Sequence, residues 1–253
     1  YLAAGVSGLT AIVGTFFIKD YLNLSAAFLA SLGFWAGLPW ALKMPLGHLV
    51  DLIWKHKGYL VGLGATIIAS SLLIMHGLIG HTHFMAQILP VETWFVISVI
   101  LGPIGYVTQD VVADAMTVEA VPERDMNGNS IPESHLKIMH TTMQTLGRFA
   151  IIGGTVLVSL ANVIIFKGVD NLDKASRIDL YADIYLFALI IPALSVAGVV
   201  LSKFQKSYNN TKACLSKQNE STTVEKPEIN WSILLGSLIF VVFSVGIGTS
   251  GLK

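Results

Sequence analysis

The sequence predicts an all-α integral membrane protein, built as a six-helix bundle followed by a seventh transmembrane helix. Of its 253 residues, 53% are hydrophobic and only 13% are charged, which is about half the charged share of an average soluble domain. The mean hydropathy is +0.67. Seven apolar stretches divide the chain, and each has close to the ~20 residues that a helix needs to cross a bilayer.

The apolar stretches are interpreted as helices because backbone groups in the hydrocarbon core must be hydrogen-bonded within the protein. Their predicted bounds are residues 2–18, 26–42, 59–80, 94–118, 141–166, 184–202 and 231–252. Residues 1–203 form the predicted bundle, and the polar residues 204–230 form a cytoplasmic linker. Residues 231–253 hold the first helix of a second bundle. This order is typical of the first half of a twelve-span transporter, whose C-terminal bundle is the expected partner.

The distribution of basic residues predicts a cytoplasmic N-terminus. With that orientation, the inside-facing connections hold ten Lys and Arg residues and the outside-facing connections hold four. Basic residues near span ends favour the cytoplasmic side. The expected location is therefore a plasma membrane or bacterial inner membrane, crossed several times.

Among the 16 basic and 16 acidic residues, only Asp110, Asp114 and Arg148 fall well inside the apolar stretches. Asp110 and Asp114 are four residues apart, so both lie on one face of the fourth span. An acid in the bilayer needs a charged partner or a water-filled cavity. Gln109 adds a neutral donor and acceptor beside them.

Arg148 of the fifth span is the predicted partner of these acids. It lies about 10 Å and Asp110 about 13 Å from the cytoplasmic ends of their spans, at 1.5 Å per residue. One interpretation is a structural ion pair that locks the bundle. In the other, Arg148 holds an anionic substrate or competes for the acids, while Asp110 or Asp114 takes up a proton.

The connection after the second span carries a predicted conformational latch, formed by Gly47, Asp51, Lys55 and Lys57. Glycine allows a neighbouring helix to approach, and an acid at a helix end beside a basic turn stabilises one conformation electrostatically. The alternative is a simple basic anchor on the cytoplasmic side.

Other patterns indicate packing or the membrane interface. The irregular spacing of His76, His81 and His83 favours interface residues over metal ligands, and residues 102–105 (Gly-Pro-Ile-Gly) predict a break or a packing kink in the fourth span. The zero net charge gives no reason to expect nucleic-acid binding. The sequence shows no catalytic triad, nucleotide loop or cofactor motif, so we expect no enzyme activity, no cofactor and no metal.

Two segments resemble the folate-biopterin transporter family of the major facilitator superfamily. The residues that match its pattern are Pro39-Trp40, Lys43, Gly47, Asp51, Asp110-Val111-Val112-Ala113-Asp114-Ala115 and Glu119. The chain departs from the family's pattern at two places. Met44 stands where the family has proline, and residues 55–59 replace the family's Gly-Tyr-Arg-Arg. Thr108-Gln109-Asp110 is also similar to the muropeptide permease and acetyl-CoA transporter group.

The resemblance implies a major facilitator fold and secondary active transport of a small organic solute, folate-like or pterin-like, often together with protons. Aromatic residues near the end of the second span, Phe34, Trp35 and Trp40, are candidates for stacking on a flat ring, although such residues also form interface belts. The alternatives are a permease for muropeptides or acyl-CoA compounds and a non-transporting membrane scaffold or assembly factor with the same fold.

Overall fold

The computed structural model describes residues 1–17, 25–53, 57–125, 128–213 and 231–250, and the regular elements within these ranges are helices. Four of them are long and apolar enough to cross a membrane: Lys57–Gly80, Val91–Glu119, Glu133–Ile165 and the pair of helices within Lys174–Leu201. An all-helical, multi-pass membrane protein is supported at this level.

Each of the seven predicted apolar stretches contains helix. The bounds of the helices are α1 Leu2–Val6, α2 Ala11–Phe17, α3 Ala26–Ala41, α4 Lys43–Leu52, α5 Lys57–Gly80, α6 Thr82–Ile88, α7 Val91–Glu119, α8 Glu133–Ile165, α9 Lys174–Phe187, α10 Ile190–Ala213 and α11 Trp231–Ser250. The short helices α4 and α6 lie in connections between the apolar stretches. A 3-10 turn, Ser7–Thr10, joins α1 to α2, so the first span is helical over Leu2–Phe17. The last residue of that predicted span, Ile18, lies outside the described residues.

The helices of the fifth and sixth spans begin well before the apolar residues do. The fifth span begins at Glu133, eight residues before its predicted start. The sixth span begins with α9 at Lys174, ten residues before its predicted start, and α9 and α10 are separated at Ala188–Leu189. Pro192 explains the separation, because proline has no N–H for the Ala188 carbonyl and its ring collides with that group.

The predicted boundary of the linker is also revised. The helix α10 continues to Ala213, so the first ten residues of the predicted 204–230 linker are helical. Residues 214–230 lie outside the described part of the chain. The predicted interruption at residues 102–105 is not a break, since α7 is one continuous helix through Pro103.

The core of the bundle forms around α5 and α7, which pack closely over much of their length. Their backbones approach at Gly64 and Gly105. A Cβ on Gly105 would lie 2.8 Å from the Gly64 carbonyl oxygen, closer than carbon and oxygen can pack. Buried residues such as Ile68, Leu78 and Ile184 fill the core on the side of α9.

A second close crossing joins α1 to α8. A Cβ on Gly154 would lie 2.9 Å from the Cα of Gly5, so small residues bring these two backbones together, as is common in membrane helix pairs. Most contacts of α8 are with α1, and its contact with α7 is much smaller. The N-terminal helix is therefore the main packing neighbour of α8.

Candidate functional site

Asp110 and Asp114 lie one turn apart on α7 and share one cation, Lys43. The Lys43 Nζ lies 2.6 Å from Asp110 Oδ2 and 2.7 Å from Asp114 Oδ2. Lys43 is the first residue of α4, which packs against α7. The Asp110 side chain is 20% exposed and the Asp114 side chain 46% exposed, so the cluster is half-buried.

Lys43 keeps its charge in this cluster. Burial disfavours the charged ammonium, but the hydrogen bonds to Asp110 and Asp114 outweigh it, so the pKa of Lys43 is raised above its usual value. With both acids ionised, the cluster carries one more negative than positive charge.

Tyr1 completes the hydrogen bonding of Asp114. Its hydroxyl donates to Asp114 Oδ1 at 2.8 Å and lies 2.9 Å from the hydroxyl oxygen of Thr117. The Tyr1 ring packs against Gly147 of α8, where a Cβ would lie 2.8 Å from the ring carbon Cε2. Tyr1 thus connects the acidic face of α7 to α8.

Gln109 joins three helices on the other side of the cluster. Its Nε2 donates to the Val61 carbonyl oxygen of α5 at 3.2 Å. Its Oε1 accepts from the Ser195 hydroxyl of α10 at 3.0 Å. The side chain predicted beside the acids is therefore a half-buried bridge between α5, α7 and α10.

Two cavities meet at this cluster. The larger cavity, of about 520 Å³, lies between α1, α3, α5, α7 and α10, and its lining includes Trp40, Tyr106, Gln109 and Asp110. The charged cavity, of about 390 Å³, lies between α7, α8 and the start of α4. Asp110 and Tyr1 line both cavities. Each volume is within the range of small-molecule sites.

Arg148 is not the partner of the acids, contrary to the prediction. It lines the charged cavity with Asp110 and Asp114, but no nitrogen of its side chain is within 4.0 Å of either carboxylate, and Lys43 occupies that position. The physical reason is the helix arrangement. Most of the packing of α8 is with α1, and the Tyr1 ring lies against Gly147, so the contact between α7 and α8 is small.

The predicted latch residues are only partly brought together. Gly47 faces α7, where an added Cβ would make ordinary contact with Val111 at 3.9 Å. The packing of α4 on α7 therefore leaves room for a larger residue at this position. Asp51 is exposed at the end of α4. Lys57 pairs with Glu119 and so joins the start of α5 to the end of α7. Lys55 lies outside the described residues.

The histidines of the third span do not form one site. The ring nitrogen Nδ1 of His76 lies 2.8 Å from the Ala182 carbonyl oxygen of α9. The rings of His76 and His81 meet edge to face, with centroids 6.4 Å apart. Across the ranges that the structure describes, no group of three His, Cys, Asp or Glu side chains is arranged to hold a metal ion.

Sequence reasoning missed the parts of the site that depend on distant helices. Lys43 was recognised in a motif but not as the partner of the acids, and no local pattern marks Tyr1 or Ser195. One feature of the sequence could have indicated the partner of the acids. Lys43 is the first helical residue after the second span, which places its charge at the depth of the C-terminal half of the fourth span.

Comparison of the chain with protein-family models, with curated proteins and with solved structures finds no match.

Proposed function

We propose that this chain forms a bundle of a secondary active transporter, which moves a small organic solute by alternating access and is coupled to protons. The observation that carries the proposal is the cluster of Asp110, Asp114 and Lys43 in the wall of two adjoining cavities. Ionisable groups inside a membrane bundle are costly and are typical of substrate and proton pathways.

The charge of the cluster suggests how coupling works. Two carboxylates share one ammonium, so the cluster has an excess negative charge that one proton removes. The raised pKa of Lys43 keeps that group charged, which leaves Asp110 or Asp114 to carry the proton. In the proposed cycle, protonation weakens the attraction of one acid to Lys43 and changes how α4 is held against α7.

The proposed solute has a flat ring, folate-like or pterin-like, by the resemblance of residues 39–51 and 105–119. Of the aromatic residues near the end of the second span, Trp40 lines the larger cavity, and Tyr106 lines it from α7. Phe34 and Trp35 are not in that lining and pack against each other, with ring centroids 5.6 Å apart. Two aromatic rings with a neighbouring amide and carboxylate suit a polar heteroaromatic ring.

The proposed architecture is the major facilitator fold, with the six-helix bundle facing a second bundle of the same protein. In support, the ends expected on one side of the membrane meet in space: Tyr1 contacts the end of α7, and so do Lys43 and Lys57. The proposal assigns this end to the cytoplasm, in agreement with the distribution of basic residues.

The test is uptake by the full-length protein in lipid vesicles with an imposed pH gradient. The solutes are folate, biopterin, a muropeptide and acetyl-CoA. The variant Asp110→Asn should abolish concentrative uptake and leave downhill exchange, because it removes a proton carrier and keeps the shape. The matched control is Asp179→Asn, an exposed acid of α9, which should behave as the wild type.

One observation favours the alternative, a membrane scaffold with structural acids. Both carboxylates already have partners inside the bundle, since Lys43 contacts each and Tyr1 binds Asp114. The scaffold interpretation predicts no uptake of any solute and a loss of thermal stability in Asp110→Asn. If Asp110→Asn takes up solute against its gradient as fast as the wild type does, proton coupling at this residue is excluded.

A further inference from the structure

We propose that the charged cavity binds the anionic group of the solute between Arg148 and Lys43, and that the larger cavity holds its uncharged body. The solute class is then a small organic anion, with a carboxylate or phosphate at one end and an apolar or aromatic body. The inference rests on the proposed function for the transport step and adds the chemistry of the ligand.

A row of donors on α8 forms one wall of the charged cavity. His140, Gln144 and Arg148 are four residues apart, so they lie on one face of the helix, and all three line the cavity. The Arg148 guanidinium presents several N–H donors in a plane that matches a carboxylate or phosphate. The neighbouring amide and imidazole add donors one and two turns away.

Arg148 has no close anionic partner in the described part of the bundle. Its side chain makes no ion pair within 4.0 Å among the described residues, and the residue is exposed on the face of α8 that lines the cavity. A cation without a close anionic partner is costly inside a membrane protein. An anion in the cavity would supply a direct partner for the guanidinium.

The second cation of the site lies at the start of another helix, α4. Lys43 lines the same cavity from the start of α4 and is shared between two carboxylates. When one carboxylate is protonated, Lys43 keeps only one ion pair, and its ammonium can bind an incoming anion. Arg148 and Lys43 would then hold the anion from α8 and α4 together.

The adjoining cavity fits the uncharged part of the solute. Its lining is mainly apolar, with Ala4, Ala113, Met116 and Val199 beside Trp40. Because Tyr1 and Asp110 line both cavities, a solute with its anionic end at Arg148 can extend past them into the larger space.

Charge balance connects the anion to the proposed proton. The ionisable residues lining the charged cavity are Tyr1, Lys43, Asp110, Asp114, His140 and Arg148. With the acids and bases ionised and His140 neutral, the two positive and two negative charges cancel. One monovalent anion that enters with one proton leaves this balance unchanged, whereas an anion alone leaves a net negative charge.

The test is equilibrium binding to the full-length protein in phosphatidylcholine nanodiscs at fixed pH. The probe is 2-naphthoate, and its matched uncharged analogue is 2-naphthamide. Arg148→Gln should weaken naphthoate binding about tenfold or more, as expected for the loss of a charge-assisted hydrogen bond, and change naphthamide binding less than twofold. The control Lys137→Gln, an exposed position on the same helix, should change neither.

If Arg148→Gln does not fold, Gln144→Leu replaces it and should weaken naphthoate binding selectively. Nanodiscs that contain phosphatidylglycerol identify the source of the anion. If the anionic lipid competes with naphthoate, the site binds a lipid headgroup, and if it does not compete, the site binds a soluble solute. Both results support the anion site. Equal losses for the two probes, or no saturable naphthoate binding by the wild type, would overturn the inference. Intact anion binding without proton-driven uptake would overturn only the proposed function.

Discussion

The close crossing of α5 and α7 gives a prediction with a built-in control. In Gly64→Ala, the new Cβ would lie 2.7 Å from the Gln109 Cγ and 2.9 Å from the Gly105 carbonyl oxygen. The side chain can shift, but the backbone oxygen moves only with its helix. At Gly62, two residues away in the same helix, nothing lies within 4 Å of an added Cβ.

The comparison of the two variants isolates the packing effect. Alanine is favoured over glycine inside a helix by about 1 kcal/mol, and this gain is common to both. Overpacking of a close contact costs about 1–3 kcal/mol and applies only to Gly64→Ala. We therefore expect Gly64→Ala to be less stable than Gly62→Ala by about 1–3 kcal/mol, or about 2–12 °C in unfolding temperature for a chain of this size.

The substitution should also affect the candidate site. Gln109 must move away from the new methyl group, which weakens its hydrogen bonds to the Val61 carbonyl and to Ser195. The assay is thermal unfolding of the purified protein in detergent, followed by the fluorescence of its 5 tryptophans. Equal unfolding temperatures for Gly64→Ala and Gly62→Ala would refute the close approach of α5 and α7.

Two further predictions concern other parts of the bundle. At the crossing of α1 and α8, Gly154→Ala places a Cβ 2.9 Å from the Cα of Gly5 and should lower the unfolding temperature. The control Gly153→Ala meets nothing within 4 Å and should not lower it. Equal changes in unfolding temperature for the two variants would contradict this packing. At the start of α9, hydrogen bonds from the Ser176 hydroxyl and nearby backbone N–H groups lower the pKa of Asp173 below its usual 3.8. The stabilisation by this cap is therefore present above pH 3.8 and is lost as the pH falls through the lower pKa of Asp173 in the folded protein. Hydrogen-exchange protection of the first turn of α9 should fall over the same pH range. In Asp173→Ala, the protection that the cap gives should be absent at all pH values. Protection that is unchanged by pH would exclude the cap.

Helix interruptions show where reasoning from hydropathy reached its limit. The apolar stretches located the spans, because a helix in lipid must be apolar over its full length. They did not mark the ends of α8 and α10, since helices continue into polar residues wherever their backbone hydrogen bonds can. The separation of α9 and α10 was readable from Pro192, whereas Pro103 is accommodated inside a continuous α7. Proline alone does not decide whether a helix breaks.

From the sequence alone it follows that Asp110 and Asp114 share one face of a membrane helix, because a spacing of four residues determines this in any α-helix. The same holds for His140, Gln144 and Arg148 on α8. Which cation meets the acids was decided by the tertiary structure. Arg148 has a suitable depth, but α8 packs mainly on α1 at Gly5 and Gly154, while α4 brings Lys43 directly onto α7. Depth along a helix is a local quantity, whereas the identity of the neighbouring helix depends on all the packing contacts together.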